Sequence, residues 1–254
     1  MIELLRSIHP EAEPERWAAV LWLVLARTGP LALAAPWLGW RGATTAIRAI
    51  VAITISIALV PAALATAPAL PSEWLALALL GVREALLGLA FAIAASAPLY
   101  ALSWTGALLD RWRGGTEPGG PLETLHAAAA VVLFVALGGH RLALGAFARA
   151  METSPVGAAV NLADMSLGTA RLVTSTLELA LALAAPAALA FVAVELVMGL
   201  AGRVAPRATS WMAAMPLRAA LGVAVALLGL AAALPALGPT LSYFVERAAE
   251  LLAG

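Results

Sequence analysis

Arg83 and Glu84 stand side by side inside a run of Ala, Leu, Val and Ile, and Glu178 and Glu195 interrupt similar runs nearer the C-terminus. Charges near the centre of a bilayer are costly, so such residues turn towards protein, water or an opposite charge. A carboxylate in that setting could carry a proton or a cation across a membrane, the chemistry of an ion-coupled transporter. Adjacent residues on a helix do not face each other, so Arg83 and Glu84 are expected to contact other elements. The alternative is that they mark a membrane interface after a short interfacial stretch starting at Trp74. Glu178 reads as an interfacial or helix N-terminal carboxylate, where the helix dipole favours negative charge. Glu195 lies deeper, where an unpaired carboxylate is expensive, and Arg203 is its expected partner.

Other chemistries are poorly supplied. His9, His126 and His140 are far apart and lack zinc-ligand spacing. No H-E-x-x-H or G-x-S-x-G run occurs. No catalytic residue, metal site or cofactor is therefore assigned, and the histidines are expected to be structural or exposed. The absence of cysteine excludes disulfides, thiolate nucleophiles and iron–sulfur ligation. All 15 basic residues are arginine, which excludes a P-loop lysine and a Schiff-base cofactor. With 15 acidic residues opposing them there is no basic patch, and no nucleic-acid partner is expected. A transporter remains an alternative reading and an intramembrane enzyme a more distant one; Asp110 and Asp164, the two aspartates, sit near segment ends.

The elements that must position these residues are apolar. Of 254 residues 63% are hydrophobic and 12% charged, with a mean hydropathy of +0.94, the composition of a membrane protein. At about 20 residues per crossing, the chain holds about six hydrophobic helices in one integrated membrane domain. Apolar length and Gly, Pro and Arg punctuation place them at residues 17–38, 47–70, 74–109, 125–149, 172–201 and 212–238. The runs 74–109 and 172–201 exceed a hydrocarbon core of about 30 Å and must tilt, bend or break. Pro61, Pro98 and Pro186 lie inside apolar runs, where each removes a backbone donor and predicts a kinked or hairpin-like helix. Gly88, Ala92 and Ser96, and again Gly222 and Ala226, recur four apart, as in helices that approach closely in lipid.

The polar N-terminal segment, residues 1–16, is acidic and unlike a signal peptide, so it is expected to remain on the mature chain. Arginines divide almost evenly between the two alternating sets of loops, so the positive-inside rule leaves the orientation open.

Two stretches break the apolar pattern. Residues 106–121 carry Gly106, Asp110, Arg111, Trp112, Arg113, Gly114 and Gly115, then Gly119 and Gly120, a deformable connection by composition. Near the C-terminus stand Glu195, Gly199, Gly202, Arg203, Pro206 and Arg207, then Met215, Pro216, Leu217 and Arg218.

Taken in order, these marks resemble the SctT/FliR family of type III secretion, the inner-membrane export-apparatus proteins of injectisomes and flagella. The C-terminal stretch resembles the family's signature. Arg83, Glu84 and Gly88 are similar to its basic-Glu-x-x-x-Gly run. Gly106, Asp110 and Arg113-Gly114 resemble its loop entry, and Arg27 with Pro36, Gly138-Gly139-His140 and Ser154-Pro155 fall in the family's order. The chain departs from the family at Arg111-Trp112 and at Gly119-Gly120-Pro121. Residues 110–116 and Met215 to Arg218 look slightly closer to the injectisome branch.

The resemblance implies a non-enzymatic subunit of a protein export gate in the bacterial inner membrane, within the basal body. It implies P-like, Q-like and U-like membrane partners, contact with lipid, and passage of unfolded secreted polypeptides. Residues 106–121 then match a plug or gate loop, to which Trp104 and Trp112 lend bulk. Arg83, Glu84, Gly88, Glu195, Gly199, Arg203, Pro206 and Pro216 become structural and subunit-contact positions.

Overall fold

The computed structural model describes residues 14–38, 43–112, 114–204 and 211–253. Its elements are eight helices: α1 (Pro14–Ala34), α2 (Thr45–Thr66), α3 (Trp74–Ala95), α4 (Ala97–Trp112), α5 (Pro121–Ala136), α6 (Gly139–Thr153), α7 (Leu162–Val204) and α8 (Trp211–Ala253). The protein is all-α and polytopic. Among the described residues, length and apolarity qualify α1, α2, α3 and α7 as membrane spans, or six spans if α5 with α6 and the two parts of α8 each make one. Helices suit this composition because lipid offers no partner to an unsatisfied backbone group.

Helix boundaries follow local chemistry. The expected run 74–109 divides at Ser96, whose N–H still bonds Ala92 O at 3.2 Å before the chain restarts as α4. Pro98 falls in the first turn of α4, where its missing donor is not needed. The expected run 125–149 divides at Gly138, which takes φ +74° between α5 and α6. Pro61 and Pro186, in contrast, are accommodated inside α2 and α7. The start of α7 corrects the helix N-terminal reading of Glu178: Asn161 Oδ1 accepts from Ala163 N at 3.1 Å and starts the helix early. Asp164 is its first-turn acid, and Glu178 lies well inside the helix on an exposed face.

The chain forms two compact units, neither contiguous in sequence. Unit 1 takes residues 1–97, 138–173 and 241–254; unit 2 takes 98–137 and 174–240. In unit 1, α1 packs on both α2 and α3. Its buried positions, Trp17, Val20, Leu23, Val24, Arg27, Thr28, Leu31 and Ala32, form one stripe at helical spacing. Arg16 Nη2 donates to Leu64 O at 3.4 Å and Ala67 O at 3.2 Å, satisfying carbonyls at the end of α2. Phe91 on α3 meets Phe147 on α6 with ring centroids 5.0 Å apart. Unit 2 is built on Leu109, Leu122, Ala187 and Ala226, with Phe191 and Val225 packed against them.

Candidate functional site

Unit 1 contains a buried charge cluster. Arg27 and Glu84 are both fully buried. Arg27 Nε donates to Glu84 Oε2 at 2.6 Å, and Nη2 makes an ion-pair contact with the same oxygen at 2.5 Å. The other oxygen, Oε1, accepts from Arg83 Nη2 and from Gly157 N, each at 3.0 Å. Arg27 Nη1 turns to Ser154 O at 2.7 Å and has Met151 Sδ 3.6 Å away. Three hydrogen-bond donors and a further ion-pair contact from Arg27 Nη2 supply what a buried anion needs, since the pair repays its desolvation only when the carboxylate's remaining lone pairs find donors.

The backbone makes this meeting possible. Gly88, one turn beyond Glu84, lies so close to α1 that a Cβ there would sit 1.8 Å from Arg27 O. Only glycine lets the two helices approach that closely. On the third side, Pro155 follows the end of α6, and Gly157 at φ +86° presents its N–H to the carboxylate. Glu84 contacts other elements, as its isolation in an apolar run implies, but it also meets its neighbour Arg83. The arginine side chain is long enough to fold back along its own helix onto Glu84.

Unit 2 holds the second polar arrangement. Gly106, Asp110, Arg111 and Trp112 are not loop residues but the last turns of α4. Arg113 lies outside the described residues. Asp110 is buried and caps the next helix: Oδ1 accepts from Leu122 N at 3.2 Å and Oδ2 from Glu123 N at 2.8 Å. Glu123 Oε2 reaches back to Gly119 N at 2.9 Å. Gly114 and Gly119 take φ +88° and +78°. A Cβ on Gly120 would lie 2.3 Å from Asp110 Oδ2, and one on Gly106 would lie 2.5 Å from Leu122 O. These glycines therefore serve a specific closed turn between α4 and α5, where composition had read as deformability. Trp112 is exposed, and Trp104 stacks on Tyr100 with centroids 6.2 Å apart.

A family model described as bacterial export proteins, family 1, matches residues 18–243. The chain belongs to this family. It is a type III secretion export-apparatus membrane protein of the SctT/FliR group. No curated protein matches it.

In this export protein the C-terminal signature residues are spread rather than gathered. Glu195, Gly199 and Arg203 all lie on exposed surface of α7. Glu195 and Arg203 are eight positions apart, about 12 Å along the axis at 1.5 Å per residue. A Cβ on Gly199 would meet open space, so its smallness serves no contact within the described chain. Pro206 lies outside the described residues, and Pro216 falls in the opening turns of α8. The residue that sequence reasoning failed to place in a site is Arg27. It is the one ionisable side chain in residues 17–38, and Glu84 lies in an equally apolar run. Two opposite charges isolated in separate apolar segments were the available signal for the pair.

Proposed function

We propose that this chain is a non-enzymatic subunit of the type III protein export gate, helping to form and seal the channel through which unfolded polypeptides cross the bacterial inner membrane. The observation that carries the reading is the family match over residues 18–243. The partners are P-like, Q-like and U-like membrane subunits, and the setting is the basal body of the secretion system. The exposed face of α7 supports such an assembly. That helix has 43 residues, about twice one crossing. Leu181, Leu189, Leu196 and Leu200 remain exposed on it, an apolar surface of the kind that a neighbouring subunit covers. The closed turn between α4 and α5 is the segment assigned to sealing, and the Arg27–Glu84 cluster braces the helices of unit 1, with no part in bond making.

The test is affinity capture of the tagged full chain from mild detergent, with mass spectrometry of what stays bound. Recovery of the P-like and Q-like subunits is the expected result. A clean monomer that transports a small solute by itself in liposomes would instead establish the transporter reading.

A further inference from the structure

Unit 2 has a largely apolar interior with one imidazole in it. His126 on α5 is buried, and its Nδ1 lies 2.8 Å from Leu122 O, one turn earlier. A carbonyl oxygen only accepts, so Nδ1 carries the proton and the Nε2 of the neutral ring keeps its lone pair. The same peptide group is held at its other end as well. The Glu123 N–H, bonded to the Leu122 carbonyl carbon, donates to Asp110 Oδ2 at 2.8 Å. One peptide group thus carries Asp110 on its N–H and His126 on its C=O. Each hydrogen bond polarises the group in the sense that strengthens the other. The cap of α5 therefore fixes the tautomer of a histidine one turn further along.

His126 borders a cavity of about 10 Å³ among α4, α5, α7 and α8, room for a single water molecule. Its other lining side chains are aliphatic except for Thr105. Thr105 Oγ1 spends its hydrogen on backbone carbonyls, with Ala101 O at 2.8 Å and Ala180 O at 3.2 Å, and so is left able to accept. With Nδ1 committed to the helix backbone, Nε2 is the polar atom that His126 has to offer this cavity. The site thus presents two acceptors and no ionisable neighbour in its lining.

We propose that this cavity is a binding site for one water molecule, which donates one hydrogen to His126 Nε2 and the other to Thr105 Oγ1. A small neutral double donor is the ligand chemistry that fits, because a cation lacks a countercharge here and an anion lacks donors. The bound water acts as a polar pin. It satisfies Nε2 and ties α5 to α4 through Thr105, while the aliphatic side chains of α7 and α8 close over it.

The test is 15N NMR of the full chain in mild detergent with labelled histidine. His126 is assigned either as the signal lost in His126→Gln or, should that variant not fold, as the signal left in a His9→Gln/His140→Gln chain. The expected result is an unprotonated Nε2 with a magnetisation-transfer peak to a water shielded from bulk exchange. In Thr105→Val the unprotonated Nε2 persists and the water peak is lost. A protonated Nε2 in the native chain, or a water peak unchanged in Thr105→Val, would overturn the proposal.

Discussion

Gly88 faces the backbone carbonyl of Arg27 with no room for a side chain, a Cβ there falling 1.8 Å from the oxygen. That contact brings α3 against α1 closely enough for Glu84 to reach the Arg27 guanidinium, 57 positions away in sequence. Close packing and charge pairing are thus one feature of unit 1.

Gly88→Ala should force the two helices apart. Overpacking of a tight interface costs roughly 1–3 kcal/mol, and here it also stretches a buried ion pair. Unfolding of the detergent-solubilised protein, followed by circular dichroism against heat, should show a lowered midpoint. Gly199→Ala, at a position with open space around it, should leave the midpoint unchanged.

Removing one partner of the buried pair should cost more than removing both. Glu84→Ala leaves Arg27 buried without its carboxylate, a loss of about 3–5 kcal/mol by analogy with other broken buried pairs. Arg27→Met with Glu84→Met should recover much of that loss, because lipid-like surroundings favour apolar side chains of similar volume. Arg83→Ala, which removes the partly exposed arginine, should be the mildest of the three. Denaturant midpoints of the four proteins give the order directly; equal losses in all the variants would contradict the buried-pair account.

The cap on α5 makes a local prediction. Asp110→Ala removes two hydrogen bonds from one helix start, with an expected cost of about 0.5–2 kcal/mol. Hydrogen exchange should quicken at the Leu122 and Glu123 amides while amides inside α3 keep their protection. Gly120→Ala should produce the same pattern with Asp110 intact, since a Cβ at Gly120 displaces the carboxylate.

Deletion of residues 114–120 tests the sealing role. An export complex assembled with the shortened chain should conduct ions in planar bilayers where the native complex does not. Unchanged conductance in an assembled mutant would remove this turn from the seal.

How much of this was legible in the sequence depends on the distance over which each feature is decided. Asp110 was singled out for its place beside a glycine-rich stretch, yet composition could not tell a flexible loop from a closed turn. The difference lies in which amides its carboxylate reaches, and those belong to Leu122 and Glu123 on the next helix. Glu178 was misplaced for a similar reason. Apolar length put a segment start near residue 172, whereas the Asn161 cap opened the helix at Leu162, among polar residues that hydropathy alone passes over.

By itself the sequence determined that this is an all-helical membrane protein. Long apolar runs in lipid must satisfy their own backbone groups, and the helix does that within one segment. The ordered motifs also identified the family. Only the tertiary structure decided that Arg27 neutralises Glu84, that residues 74–109 make two helices, and that Asp110 closes a turn. Each of these rests on a contact between segments distant in sequence or on the bend of a backbone, and neither is encoded in how apolar a residue is.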